Sequence, residues 1–336
     1  MKTSDRHAAS LVAAAIIALA AGCTTESGSA ALSSLSRPEE PDVTVAALPA
    51  ADLAGLYVAQ DDGLFAQQGL QVKIRKIASS AAVISGLEKG QVDITAGSYV
   101  AYIAAEAAGA RFRILAEASA LQPDTRVLVI PGDSPIRSIT GLVGKKIGLN
   151  GTNSIGTLLV SALLAEHGIS PGKVTFVTDP EGFPAMPAEL RDGAWAAAFL
   201  AEPYVTLAGE QYGERELADL DQGATVDFPI DGYIATQGWA EKYPKTAAAF
   251  VRAIEEGQAL ADTDRPAVEA AMGESDGLPH QVTAVMALPD FPVGPVDETR
   301  IQRTAEAMLE FGLLGGQYAA EVQRGTLVRS MIDPGS

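Results

Sequence analysis

One joint recurs along this chain and decides its fold class: an amphipathic helix, a glycine, then a short run rich in β-branched residues. It reads Gln68-Gly69-Leu70, Lys89-Gly90-Gln91, Ala108-Gly109-Ala110, His167-Gly168-Ile169 and Asp192-Gly193-Ala194. Glycine suits the left-handed residue that closes a helix, and the runs that follow it have strand character. Five such joints predict βαβ units and parallel sheets. Two segments open these units, Val43-Thr44-Val45-Ala46-Ala47-Leu48 and Lys146-Ile147-Gly148-Leu149-Asn150. Two similar starts predict two α/β domains facing one another. Arg126-Val127-Leu128-Val129-Ile130 reads as a strand crossing between them, and a second break falls around Asp227-Phe228-Pro229-Ile230-Asp231-Gly232. Beyond Gly238 the pattern is helical and Ala-rich, over 244–260, 266–272, 297–311 and 318–328. Late helices with no new strands to cover must pack on existing sheets. They are assigned to the first domain, which makes it discontinuous: 42–131 plus 231–336, with 132–230 as the second.

The segment before Val43 has a different character. Lys2 and Arg6 precede a 13-residue, mostly apolar run from Ala8 to Ala20. That length suits the apolar stretch of a signal peptide and falls short of the roughly 20 residues of a membrane span. Small residues lead to Cys23, and the junction resembles a bacterial lipobox, in which the cysteine thiol carries the lipid. Residues 1–22 are therefore expected to be a signal peptide, Cys23 the lipidation site, and 23–41 a flexible tether rich in Ser, Thr, Ala, Glu and Pro.

Charge narrows the partners. Lys and Arg number 24 against 42 Asp and Glu in 336 residues, a net charge of −18. Affinity for a phosphate backbone is mostly Lys/Arg neutralisation, so nucleic acid is not an expected partner. With one cysteine and three histidines, an intramolecular disulfide is impossible and a Cys- or His-based metal site is not expected.

Four stretches carry a resemblance to a known family. They are Tyr57-Val58-Ala59-Gln60-Asp61-Asp62-Gly63-Leu64-Phe65, Leu87-Glu88-Lys89-Gly90-Gln91-Val92-Asp93-Ile94, Leu142-Val143-Gly144-Lys145-Lys146-Ile147-Gly148 and Ala197-Ala198-Phe199-Leu200-Ala201-Glu202-Pro203-Tyr204. In this order and spacing the chain resembles the substrate-binding lipoproteins of ABC importers for nitrate, sulfonates, taurine and thiamine precursors, from about Val43 to Met272. The resemblance implies a type II periplasmic-binding-protein fold: two lobes of parallel-rich sheets flanked by helices, joined by hinge crossovers and closing on a small solute. It implies a monomer outside the cytoplasm, lipid-anchored to the cell membrane. Its partners would be an ABC permease with its ATPase, and it would need no cofactor. A ligand-sensing lipoprotein on the same fold is the main alternative, and an extracytoplasmic enzyme on this fold a second.

In open α/β sheets, ligands bind beyond the carboxyl ends of the strands. In the first lobe the loops there contain Pro49, Ala50, Ser79, Ser80, Gly97, Ser98 and Tyr99. In the second they are Asn150-Gly151-Thr152-Asn153-Ser154 and the stretch at Glu202. The 150–154 loop leads into a helix, whose free N–H groups and dipole favour an anionic or strongly accepting group. Ser79, Ser80, Ser98, Thr152 and Ser154 are equally well read as helix caps, and both roles can hold together. Glu202 needs a cationic partner, from the ligand or from the protein. Asp231, near the second crossover, is read as hinge-surface charge in preference to a ligand contact. Tyr57, Tyr99 and Tyr233, with Phe183 and Tyr204, are read as core or as flat surfaces for a heterocycle or alkyl chain. A helix N-terminus paired with Glu202 would suit a zwitterion such as an aminosulfonate; the aromatics would suit a pyrimidine.

Enzyme motifs are incomplete. Thr152-Asn153-Ser154-Ile155-Gly156 lacks the first glycine of a nucleophile elbow, and its base would have to be His167 or His280. Gly144-Lys145-Lys146 lacks the hydroxyl residue and the spaced glycine of a phosphate-binding loop. A related branch of the resembled family makes a thiamine pyrimidine with its own histidine and a cysteine-rich motif, whereas Cys23 is this chain's only cysteine.

Overall fold

A computed structural model describes residues 37–333, apart from the side chains at 80–83, 275 and 276. Cys23, the expected signal peptide and most of the expected tether lie outside the described residues. The first part of the chain is built as the joints predict: β1 (Asp42–Ala47), α1 (Ala54–Asp61), α2 (Leu64–Gln67), β2 (Gln71–Lys76), α3 (Ser80–Glu88), β3 (Ile94–Ser98), α4 (Tyr99–Ala107) and β4 (Phe112–Ala120). Then come β5 (Arg126–Ile130), β6 (Lys146–Leu149), α5 (Ile155–Glu166), β7 (Thr175–Thr178), α6 (Met186–Arg191), β8 (Ala197–Ala201), α7 (Tyr204–Tyr212) and β9 (Arg215–Asp219). The chain ends with β10 (Pro229–Thr236), α8 (Gln237–Lys242), α9 (Pro244–Thr263), α10 (Arg265–Asp276), α11 (His280–Thr283), α12 (Glu298–Glu310), α13 (Ala319–Gln323) and α14 (Thr326–Ile332). All five joint glycines, 69, 90, 109, 168 and 193, have positive φ, the backbone state that singled them out.

The strands form two five-stranded sheets, in the orders β2-β1-β3-β10-β4 and β7-β6-β8-β5-β9. The βαβ pairs are parallel: β1 with β2 and β3, β6 with β7 and β8. The strands that follow the crossovers run antiparallel to their neighbours: β10 between β3 and β4, β5 between β8 and β9. Two readings are corrected here. Arg126–Ile130 belongs wholly to the second sheet, so the first crossover is 121–125 rather than after Pro131. The segment read as a second break is in fact β10, a buried strand of the first sheet. Pro229, Asp231 and Gly232 look like breakers, yet Gly232 is demanded by packing: a Cβ there would lie 2.5 Å from the Tyr99 hydroxyl.

The late helices pack on the first sheet and its helices. α9 lies along α1 and against β4, α10 along α1, and α14 along β4 and α4. The α1–α9 crossing is very close. A Cβ on Gly257 would sit 2.3 Å from the Gly55 carbonyl oxygen, and one on Gly55 would sit 2.6 Å from Gln258 Cγ. Residues 37–41, expected within the tether, are docked. Glu39 accepts the N–H groups of Lys245 and Thr246 at 2.9 and 3.0 Å, capping α9, and the Glu40 N–H donates to Thr246 Oγ1.

The two crossovers, 121–125 and 220–228, run side by side. The Leu121 N–H donates to the Phe228 carbonyl at 2.9 Å, and the Asp124 N–H to Asp219 Oδ2 at 3.1 Å. Asp124 and Asp227 both have positive φ, 66° and 50°. Arg303 of α12 donates to the carbonyls of Asp227, Ala224 and Val226 and so braces the second crossover from the first lobe.

Candidate functional site

Three helices, α3, α4 and α5, begin at the seam between the sheets. Their N-caps are all serine: Ser79, Ser98 and Ser154. All three line one cavity together with Leu48, Ala101, Arg126 and residues 150–153 and 155. The convergence follows from topology, since β2, β3 and β6 each lead from their carboxyl ends into a helix start, β3 directly and the other two through short loops. The first four N–H groups of a helix lack intrahelical partners and carry its positive end, so three of them facing one space favour an anion. The Ser98 hydroxyl accepts the Val100 N–H at 3.2 Å, so it caps α4 while facing the cavity. Thr157 Oγ1 accepts the Ser154 N–H, and the buried Ser154 side chain faces the Thr157 N–H in the other half of a capping box. The Asn150 side-chain oxygen is buried with no partner among the described residues, and Asn153 adopts a left-handed φ of 48°. The cavity is closed to about 20 Å³, room for one water. The lobes touch around it: a Cβ on Gly151 would lie 3.4 Å from Ser79 Cβ, and one on Gly182 would lie 2.7 Å from the Ala78 carbonyl oxygen. A larger solute therefore requires the lobes to part.

Arg126, which sequence reasoning missed, is the strongest feature of the site. It opens β5 at 0% exposure, its guanidinium lying over the adjacent rings of Phe183 and Phe199 at 5.7 and 5.6 Å. Nη2 meets Asp52 Oδ2 at 2.9 Å and Asp231 Oδ2 at 3.4 Å, while Nε and Nη1 have no hydrogen-bond partner among the described residues. Burial, with Asp52 beside it, pushes the Asp231 carboxyl up to about 7, a rise the Arg126 charge only partly offsets. Asp231 is thus not a surface charge at all: it is 0% exposed. The one signal in the sequence was an arginine opening a strand of otherwise apolar residues.

The remaining candidates are not on the cavity. Pro49 and Ala50 are buried just past Leu48, and Gly97 is a strand residue opposite Gly232. Tyr57, Tyr99 and Tyr233 are core residues at 2, 0 and 0% exposure and do not line this cavity. The Tyr57 hydroxyl donates to the Leu48 carbonyl; Tyr99 stacks edge-on with Tyr102, and Tyr233 edge-on with Phe250. The Ser80 side chain lies outside the described residues. Glu202 finds its donors within the protein: Oε2 accepts the Thr206 N–H at 3.1 Å, and Oε1 the Thr206 hydroxyl at 2.8 Å and the Ala287 N–H at 3.2 Å. Burial raises its pKa, and these bonds oppose the rise. A groove of about 480 Å³ on the outer edge of the first lobe, lined by Ile114, Ala247, Val251 and Val296 among others, contains no candidate residue. Among the described residues no cluster of three or more His, Cys, Asp and Glu is placed to hold a metal, and no helix is long and apolar enough to cross a membrane.

Known proteins share this architecture. Residues 50–266 match the family model described as NMT1/THI5 like. An aliphatic sulfonates-binding protein of Escherichia coli strain K12 is 27% identical over 237 residues, 68% of this chain and 70% of that protein. A 4-amino-5-hydroxymethyl-2-methylpyrimidine phosphate synthase of Saccharomyces cerevisiae, THI11, is 26% identical over 210 residues, and the match spans only 60% of that enzyme's length. Among solved structures, the alkanesulfonate-binding protein SsuA of Xanthomonas axonopodis pv. citri, bound to MOPS, superposes with a TM-score of 0.72 at 18% identity, covering 85% of this chain and 98% of that one. The fold is that of the periplasmic binding proteins.

Proposed function

The chain belongs to the NMT1/THI5-like family, and on that premise we propose that it is the extracytoplasmic solute-binding protein of an ABC importer, capturing a small organic anion of the sulfonate class between its lobes. The observation that carries this reading is the convergence of three serine-capped helix starts with Arg126, whose Nε and Nη1 are left without partners. An oxyanion head would take hydrogen bonds from Arg126, the serine hydroxyls and the backbone N–H groups at 151–154. Ligand binding shifts the lobes toward the closed form, which is the form a permease would recognise. Cys23 would anchor the protein to the membrane through lipid. A Cys23→Ser protein released from the membrane fraction supports that anchor; one retained there removes it.

The binding test is a thermal-shift and calorimetric screen with butanesulfonate, taurine, nitrate, aminopyrimidines and thiamine. A ligand at 100 times its dissociation constant adds about 2.7 kcal/mol to stability, a shift of several degrees or less in a chain of this size. Sulfonate binding lost in Arg126→Met supports the reading; aminopyrimidine binding without any sulfonate response overturns the ligand class.

A second reading comes from the synthase relatives. Against it, neither histidine outside the leader reaches the cavity: His167 caps the far end of α5 with Nδ1 against the Leu163 carbonyl, and the His280 side chain is 84% exposed. Mass-spectrometric detection of a product formed from a bound pyrimidine precursor would favour the synthase.

A further inference from the structure

Behind the cavity wall, Arg126 meets more buried carboxylate than its single guanidinium can balance. Asp52 and Asp231 share Arg126, and all three are at most 3% exposed. The two carboxylates are not equivalent. Asp52 has the 2.9 Å contact to Arg126, and its other oxygen accepts the Ser119 hydroxyl at 3.3 Å. Asp231 has only the 3.4 Å contact, and its Oδ1 is buried without a partner among the described residues. An anion admitted as the lobes part, and reaching Nε or Nη1, would bring a third negative charge to one buried guanidinium. Uncompensated charge in such a place is strongly unfavourable. The cheapest relief is a proton, and the geometry names its site: the carboxylate with an idle oxygen and the longer ion pair.

Resting on the reading of the cleft as an anion site, we propose that this protein binds its anion together with one proton, Arg126 receiving the anion and Asp231 the proton. No covalent bond changes; the proton comes from solvent and returns there on release. The groups facing Asp231 leave no rival. Asp52 approaches from the turn after β1 and Arg126 from β5; Tyr99 and Tyr102 approach from α4 and Tyr233 from β10 itself. Burial raises the three tyrosine hydroxyls, so they stay neutral. Glu117 of β4 acts on Tyr99 from beyond it. The Asp231 carboxyl already titrates near neutrality without ligand, and an added anion moves it further in the same direction.

The test uses butanesulfonate and nitrate, which stay fully ionised throughout, so any pH dependence belongs to the protein. Their dissociation constants are measured on the wild-type protein between pH 6 and 9 in bis-Tris propane, an amine buffer free of sulfonates. The expected result is affinity that weakens toward tenfold per pH unit above about pH 7.5. Asp231→Asn, uncharged and nearly isosteric, is expected to hold its affinity constant across that range. Equal affinity at pH 6 and 9, or an Asp231→Asn protein that keeps the wild-type slope, overturns the proton coupling while leaving anion binding intact. A folded protein that binds neither anion at any pH removes the anion-site reading and this inference with it.

Discussion

The Glu202 side chain accepts the Ala287 N–H at 3.2 Å, joining the start of α7 in the second lobe to a segment that follows the first lobe's helices. Alongside it the Glu202 carbonyl accepts the Ala51 N–H at 2.9 Å. Glu202 is therefore a strut between lobes that also caps α7 through Thr206, and it leaves the cavity wall to others. Glu202→Ala is expected to destabilise the protein by about 1–2 kcal/mol through the lost cap and the stranded N–H groups. Its anion affinity should change far less than that of Arg126→Met. Thermal melts with calorimetry on both variants check this; a Glu202→Ala protein that is fully stable yet blind to anions would return Glu202 to the binding site.

The three serine caps make separable contributions. Ser98→Ala loses the bond to the Val100 N–H, so it is expected to cost about 1 kcal/mol of stability as well as affinity. Ser154→Ala removes one half of the weaker capping box on α5, so it should cost less than about 1 kcal/mol of stability and weaken anion binding by several-fold. Paired melts and binding isotherms separate the two effects.

Glu214 predicts a pH-dependent instability away from the cleft. Both of its carboxylate oxygens are buried without hydrogen-bond partners among the described residues, and burial raises its pKa from 4.5 to about 7. The folded state thus holds this proton more tightly than the unfolded chain, so its contribution to stability falls as pH rises from about 4.5 through 7. Glu214→Gln is expected to match wild type at pH 4.5 and to exceed it by about 2 kcal/mol at pH 8, read from denaturant melts at the two pH values. Equal gains at both would place the effect in packing.

The close crossing of α1 and α9 predicts intolerance of one methyl group. Gly257→Ala would put a Cβ 2.3 Å from the Gly55 carbonyl oxygen and 2.8 Å from Ala59 Cβ, so the helices must separate. A loss of about 1–3 kcal/mol is expected, seen as a lower melting temperature.

Local grammar was well written in the sequence. The helix–glycine–strand joints gave the βαβ units because a left-handed closing residue is a local requirement, met by the glycine itself. The 150–154 loop and the serines at 79, 98 and 154 were legible for the same reason. Long-range compensation was not. Asp231 looked like hinge charge because its partner Arg126 lies 105 residues away, and the pair makes sense only once the two sheets, one holding β5 and the other β10, meet at the hinge. β10 looked like a break because Pro, Asp and Gly are breakers locally, and only Tyr99 packed over Gly232 explains the glycine. Tyr57, Tyr99 and Tyr233 sit near strand ends, where sequence cannot tell a ring turned inward from one turned to solvent.

The paired crossovers fix how the lobes can move. A single linker would leave one lobe free to swing, tilt and twist about the other. Here two segments, bonded to each other at Leu121–Phe228 and Asp124–Asp219, bridge the gap together, and each continues at once into an interior strand of its sheet, β5 or β10. A paired suspension resists twist and tilt more than a single linker would and favours one rotation about the pair. On the proposed binding role, lobe surfaces guided in this way would meet in the same register at each closure, and a small solute would set the position of a whole lobe by acting along that one coordinate.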